Sequence, residues 1–443
     1  TWRLRNSGAV AWPEDTRLVF KSGEQLSDAE EVVVGAVAPG AEVDISVAMQ
    51  APDKDAVVTS RWALTSDSGD FRGGSVYVQI RSGEPATVAA AAAPAAPPPR
   101  TSTGFGYGIQ AHIFGNDAQI YSLINGMGFN WVKQQVEWSR IETAKGQYNW
   151  GDLDRIVSGA RGAGLNILLS VVKAPAWARP GGDMSVEGPP NNPQDFADFM
   201  GALAARYKGR VQAYEVWNEQ NLHYEWGNEP ISASRYVDML RRCYAAIKRA
   251  DPNAMVISAG LSPTGTWNAE ARPDDWYLES MYIAMNETMG SSNSYFDVLG
   301  AHAPGFKSPP ERDPAEVAAN QDLGGQRAFA FRRVEDLRAI MVKYGDANKQ
   351  VAILEFGWTS DPRPESPYNW HAVTEQVKAD YLVRAYQYAE ANWSPWIGLM
   401  SLIYICDHDW TTDDEQYWWA ISDPGWPEFK PRPAYTALKN MPK

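Results

Sequence analysis

Residues 104–443 read as an α/β fold, a (β/α)8 TIM barrel, preceded by a small all-β sandwich over residues 1–82. Three observations predict this. Eight apolar runs alternate with amphipathic helical stretches after Gly104. Short runs of alternating polarity, broken by Gly, Pro, Asp and Ser, fill the first 82 residues. Between them lies "GEPATVAAAAAPAAPPPRTST", residues 83–103, an Ala/Pro-rich stretch with almost nothing to bury. Alternating strand–helix units point to a parallel sheet closed by helices, and an Ala/Pro-rich segment reads as a semi-extended linker. At 443 residues the chain is too long for one compact core and comfortable for two or three.

Taken in order, "RLVFKS", "EEVVVGAV", "EVDISVAMQAP", "TSRWALTS" and "GGSVYVQIRS" are the sandwich strands. The barrel strands are expected near 105–113, 129–137, 166–174, 213–219, 254–261, 295–303, 350–357 and 396–406. Stretches such as "DLDRIVSGARGAG", "SASRYVDMLRRCYAAIKRA" and "TEQVKADYLVRAYQYAEAN" supply the helices between them. A doubly wound sheet is the competing topology. It wants a Gly-rich phosphate loop after its first strand, whereas the glycines of "GFGYGIQ" fall inside the strand.

Composition narrows the function. The net charge is −14, which disfavours nucleic acid, whose counterions are displaced by Lys and Arg. No run of about 18 apolar residues is present, so no membrane span is expected. Cys243 and Cys406 have no metal or redox spacing. The chain carries 19 Trp and 20 Tyr, flat side chains suited to stacking against sugars as well as to filling a core. It opens "TWRLRN", which reads as mid-strand, so further residues upstream are expected.

In a barrel of this type the chemistry sits at the carboxyl ends of the strands. Glu219 ends the fourth strand in "AYEVWNEQN", and Glu355 ends the seventh in "QVAILEFGWTS". Two carboxylates facing each other across a barrel mouth suit glycoside hydrolysis. Read singly, either motif is better explained by a helix-capping Asn and a solvated Glu. His112, in phase with Gln110, ends strand one, and His302 ends strand six. Strand periodicity puts Lys133 and Gln135 on one face, and Glu215 on the face of Glu219. A buried Glu215 needs a partner, and Lys133 is the candidate. Trp177, Trp358, Trp410, Trp418 and Trp419 lie in or beside the mouth loops. Trp177 and Trp358 are expected to stack on substrate, with core packing the competing reading. "DHDWTTDDEQYWW" lacks the spacing of a calcium loop and reads as solvated. No metal and no cofactor are expected.

"WNE" on strand four with "LEFGW" on strand seven, in that order, resembles the clan A glycoside hydrolases. "GFNWVKQQVEWSRIETAKGQYNWGDLDRIV" adds a likeness to families 5 and 39 and their bacterial exopolysaccharide-hydrolase relatives. "WRLRNSGAVAWPEDTRLVF" and "SRWALTSDSGDFRGGSVYVQI" resemble the immunoglobulin-like four-tryptophan domain. The resemblance implies a retaining hydrolase of β-linked glycans, with Glu219 as acid/base, Glu355 as nucleophile and Asn218 hydrogen-bonding the sugar 2-hydroxyl. It implies that a residue at the position of His302 orients the nucleophile. His112, Gln135, Trp177, His302, Trp358 and Trp410 are the expected substrate contacts. Expected also are secretion from, or display on, a bacterial cell, a carbohydrate partner, attachment through the sandwich, and a monomer. A transglycosylase with the same residues and a non-catalytic carbohydrate-binding protein are the alternatives.

Overall fold

The computed structural model describes residues 1–6, 8–51, 56–82, 104–424 and 429–443. The chain divides into two compact units, Thr1–Ala96 and Pro97–Lys443. The expected linker, 83–103, lies outside the described residues.

In the first unit, β1 (Trp2–Arg5) pairs antiparallel with β4 (Glu42–Ile45). A second sheet runs β3 (Glu31–Val33), β2 (Arg17–Gly23), β5 (Ala56–Ser66) and β6 (Gly69–Ser82). Alternation turns one residue in two inward, and Leu18, Ile45, Trp62 and Leu64 form the core, with Trp2 and Trp12 against it.

The second unit is a closed parallel barrel of eight strands in chain order: β7 (Gly106–Gln110), β8 (Trp131–Glu137), β9 (Asn166–Val172), β10 (Ala213–Val216), β11 (Met255–Ser258), β12 (Val298–His302), β13 (Gln350–Phe356) and β14 (Ile397–Leu402). All eight fall within the runs read from the sequence. Period-two alternation stacks the barrel interior in layers. Trp131, Leu168, Ala213, Met255, Ile257, Val298, Ala352, Leu354 and Leu399 form a dry cluster. Two residues on, the same faces turn polar, at Lys133, Ser170 and Glu215, all buried. The interior therefore grades from oil to charge toward the carboxyl end, where a site can form. Cys243 and Cys406 are buried and free. Among the described residues, no helix is long and apolar enough to cross a membrane.

Close approach inside the barrel demands glycine. A Cβ on Gly300 would lie 2.0 Å from the Ser258 carbonyl oxygen and 2.6 Å from a Leu354 methyl. Gly300→Ala is expected to destabilise the protein by about 1–3 kcal/mol, because a backbone atom cannot step aside. Gly162→Ala, at a helix end with nothing within 4 Å of the added carbon, should be neutral or slightly stabilising. Thermal unfolding of the two variants is the measurement, and equal midpoints would refute the argument.

Candidate active site

Strand β10 stops at Val216, three residues earlier than the sequence run suggested. Trp217 (φ 78°) and Glu219 (φ 36°) occupy the left-handed region, which non-glycine residues enter at a cost and mostly at functional sites. The turn is pinned from both ends. The Glu219 N–H donates to the Gly260 carbonyl at 3.0 Å, and the Glu219 carbonyl accepts from the Leu222 N–H at 2.9 Å. This swings the Glu219 side chain over the barrel mouth.

His302, at the end of β12, joins the two acids. Its Nδ1 lies 2.8 Å from Glu219 Oε1 and 3.9 Å from Glu355 Oε2. The His302 ring packs close to Gly260, just past β11, because that residue is glycine; a Cβ there would fall 2.2 Å from the ring. The sequence reading tied His302 to the nucleophile. In the structure its hydrogen bond goes to Glu219, the acid/base candidate, because the β10 turn brings that carboxylate nearer.

Beneath the acids lies Lys133, 2% exposed. Its Nζ is 3.0 Å from Glu355 Oε1 and 3.3 Å from Glu215 Oε2. Glu215 accepts a further bond from the Gly260 N–H at 3.2 Å. The expected Lys133–Glu215 pair is present, but Lys133 is more than a structural partner, since it also holds Glu355. Burial alone would push the Glu355 carboxyl up. The Lys133 ammonium and then His302 outweigh it and hold Glu355 below the usual carboxylate range. Burial likewise works against a charged Lys133, yet the two glutamates push it above the ordinary lysine value. His302 is also raised: burial opposes its charge, and the Glu355 and Glu219 carboxylates prevail.

These groups open into a cavity of about 560 Å³ at the carboxyl end of the barrel. Of the residues expected from the sequence, His112, Gln135, Asn218, Glu219, His302, Glu355 and Trp410 line it. His112 Nδ1 lies 3.4 Å from Asp407, and its ring meets Trp410 edge-on, centroids 5.5 Å apart. Five buried polar atoms of lining residues have no partner: Gln110 Oε1, His112 Nε2, Asn218 Oδ1, His302 Nε2 and His371 Nδ1. Buried polar groups are normally paired, and all five of these side chains belong to the cavity lining.

Two expected stacking platforms are corrected. Trp358 is fully buried, donates to the Ser308 carbonyl at 3.0 Å and packs on Phe331 and Tyr381. Trp177 lies outside the cavity lining, with its indole N–H donating to the Glu142 carbonyl at 2.8 Å and its ring edge-on to Trp138. Both are packing residues. The segment read as a solvated loop contains a helix, Glu415–Trp419, in which the Trp419 indole donates to Glu415 at 2.9 Å. The i, i+4 spacing of Glu415 and Trp419 was the available signal. Tyr224, Glu225, Tyr368 and Tyr404 also line the cavity and carried no sequence signal. Among the described residues, Asp407, His408 and Asp409 bring ligand atoms within 4.8 Å of one another; Asp407 is engaged by His112 and His408, and the other two are exposed.

A family model described as cellulase (glycosyl hydrolase family 5) matches residues 98–398, and one described as the Ig-like domain from next to BRCA1 gene matches residues 1–81. Protein JOKA2 of Solanum tuberosum is 36% identical over 84 residues, 18% of this chain and 10% of that protein. Endo-1,4-beta-xylanase 3 of Hypocrea jecorina is 29% identical over 91 residues, 20% of this chain and 25% of that protein. The chain thus spans a quarter or less of these curated relatives. In fold, it is similar to a family 39 glycoside hydrolase from Bacteroides cellulosilyticus WH2, with TM-score 0.55, 17% identity, and coverage of 98% of this chain and 78% of that one. Xylanase 10B from Thermotoga maritima gives TM-score 0.50 and 16% identity, over 76% of this chain and 94% of that one.

The Lys133–Glu355 pair makes a test. A carboxyl held low is ionised above its own pKa and loses its charge as pH falls through it. Lys133→Gln removes the ammonium, so the acid limb of kcat/KM should move to higher pH. It also leaves Glu215 buried without its cation, and breaking a buried pair costs about 3–5 kcal/mol. A pH–rate profile with an unmoved acid limb in a folded Lys133→Gln protein would remove Lys133 from the site.

Proposed function

Because the chain belongs to the cellulase family, glycosyl hydrolase family 5, and is a clan A glycoside hydrolase, we propose that it cleaves β-linked oligo- or polysaccharide with retention, by double displacement. The observation that carries the reading is the convergence of two glutamates on one imidazole nitrogen, with a buried ammonium on only one of them. Retaining enzymes set their carboxyl groups about 5–5.5 Å apart, and inverting ones about 6.5–9.5 Å to admit a water. The 2.8 and 3.9 Å approaches to His302 Nδ1 favour the shorter spacing.

Glu355 is the nucleophile. Lys133 keeps it ionised, and it attacks the anomeric carbon. Glu219 gives its proton to the departing glycosidic oxygen, and the glycosyl–Glu355 ester forms. Glu219 then takes a proton from water, which attacks the same carbon and restores Glu355. His302 engages Glu219 Oε1, which leaves Oε2 for the leaving oxygen. Asn218, beside the acid, faces the substituent at C2. The reading extends to a secreted or cell-surface bacterial enzyme on polymeric glycan, with the immunoglobulin-like unit as its attachment module.

The roles separate by rescue. Glu219→Ala should spare aryl glycosides with good leaving groups, lose substrates with poor ones, and yield the β-glycosyl azide when azide is added. Glu355→Ala should lose all substrates, and any azide product should be the α-anomer, formed by direct attack from the opposite face. Product configuration by NMR decides; the reverse pairing of anomers means the two glutamates exchange roles.

A further inference from the structure

The turn that carries Glu219 starts where the β10–β11 ladder ends, and the ladder ends on a side chain. Ala213, Tyr214, Glu215 and Val216 lie opposite Met255, Val256, Ile257 and Ser258 in parallel register. Just below them the Met255 N–H donates to the Gln212 carbonyl at 2.9 Å. Rungs of one set recur every second residue in a parallel ladder. The set therefore runs on through Tyr214 with Ile257 and would close on the Val216 carbonyl with the Ala259 N–H. A hydroxyl stands in that last rung. Tyr236 Oη accepts the Ala259 N–H at 2.7 Å and donates to the Val216 carbonyl at 3.0 Å. A direct rung spans about 2.9 Å; two bonds in series hold these strand ends apart.

The next residue leaves the strand. The Trp217 N–H still donates to the Val171 carbonyl of β9 at 3.1 Å, so β10 stays fixed on one side and opens on the other. Trp217 turns left-handed, and the chain comes back to the β11 side where the Glu219 N–H meets the Gly260 carbonyl. Local breaks in a ladder re-aim side chains beside active sites. Tyr236 is held firmly enough to impose this one. It is fully buried in the first turn of the helix Ala233–Ala250, edge-on to Trp226 with ring centroids 6.3 Å apart. The Ser232 carbonyl ahead of that helix accepts both the Tyr236 N–H and the Tyr277 hydroxyl, each at 3.2 Å. A phenyl ring would fill the same space, so what the hydroxyl adds is the rung.

We propose that Tyr236 is a positioning residue for the acid/base: its hydroxyl, inserted between β10 and β11, sets where the Glu219 carboxyl stands over the sugar. The inference rests on the proposed role of Glu219. Tyr236→Phe leaves a buried carbonyl and N–H facing each other, to close directly or stay unpaired; either way the turn shifts, and Glu219 with it. The probes are aryl β-glycosides of the sugar the native chain turns over fastest, with leaving groups from dinitrophenyl to phenyl. A misplacement of about 1 Å can cost about a hundredfold in rate. In Tyr236→Phe, kcat/KM should fall about ten- to a hundredfold for the phenyl glycoside, which needs the acid, and about twofold or less for the dinitrophenyl glycoside, which does not. For the dinitrophenyl glycoside kcat should fall, because water's attack on the ester needs Glu219 as base, and azide should restore it. Tyr277→Phe loses a hydroxyl bond at the same helix start; it should lower the unfolding midpoint and leave the leaving-group ratios at native values. Should Tyr236→Phe not fold, Tyr236→para-aminophenylalanine, a weaker acceptor in the same place, should show the same selective loss in smaller measure. Losses equal across leaving groups, ratios unchanged in the folded variant, or the same selectivity in Tyr277→Phe would overturn the proposal. Glu219→Ala in the otherwise native chain separates the two readings. If it shows no leaving-group selectivity, Glu219 is not the acid/base and the inference goes with it; if it does and Tyr236→Phe does not, the positioning role alone fails.

Discussion

The Lys133 ammonium, closed inside the barrel between Glu215 and Glu355, is the interaction on which the rest of the site depends. Taking an ion out of water costs several kcal/mol even after relaxation. Two unit charges about 4 Å apart recover about 4 kcal/mol at an effective dielectric of about 20. One carboxylate would leave that balance close to even. Two, at 3.0 and 3.3 Å, tip it, and the lysine stays charged at 2% exposure. The same arrangement links fold to chemistry. Glu215 takes the Gly260 N–H, while the Gly260 carbonyl takes the Glu219 N–H. Glu355 and Glu219 meet again at His302. The acids, the cation and the Gly260 backbone just past β11 thus form one closed circuit, and no member can move without disturbing the next.

That circuit explains why small residues sit where they do. Charge in a barrel interior needs room for its donors, and Gly260 and Gly300 give it. Gly260 admits the His302 ring, and Gly300 lets the β11 backbone close against β12. The left-handed turn at Trp217 and Glu219 is the strained part. It is held by the fully buried Trp217, whose indole donates to the Glu225 carbonyl at 3.0 Å. One side chain therefore anchors both the turn that carries Glu219 and the segment that carries Glu225.

Much of this was legible in the sequence because it depends on period and order. Eight runs gave eight strands, and strand phase put Lys133 and Glu215 on the inner face. The contact between Lys133 and Glu355 was not legible. The pairing of β13 shifts register near Glu355, between Ala301 and His302 on one side and between Ile353 and Phe356 on the other. A bulge breaks the two-residue period from which a facing side is read. Trp358 failed for a different reason. Its ring lies against Gly305, where a Cβ would come within 1.9 Å, and that vacancy is supplied by a loop about fifty residues away in sequence. Tyr224 and Glu225, Tyr368, and Tyr404 reach the cavity from three separate segments, and only the closed barrel brings those segments together.

Glu219 and Glu355, the two glutamates proposed for catalysis, are nearly alike in exposure, 19% and 20%, so burial does not distinguish them. The cation does. Lys133 touches Glu355 and not Glu219, and a unit charge at hydrogen-bond distance outweighs a small difference in solvation. Burial and neighbouring carboxylates act in the opposite direction on two further acids of the cavity. Glu225, pushed up to about 9, is one of these. Glu415, raised by burial against the hydrogen bonds from Trp419 and Tyr368, leans the same way. One lysine on strand two thus sets Glu355 apart from Glu225 and Glu415, which burial and their carboxylate neighbours push the opposite way.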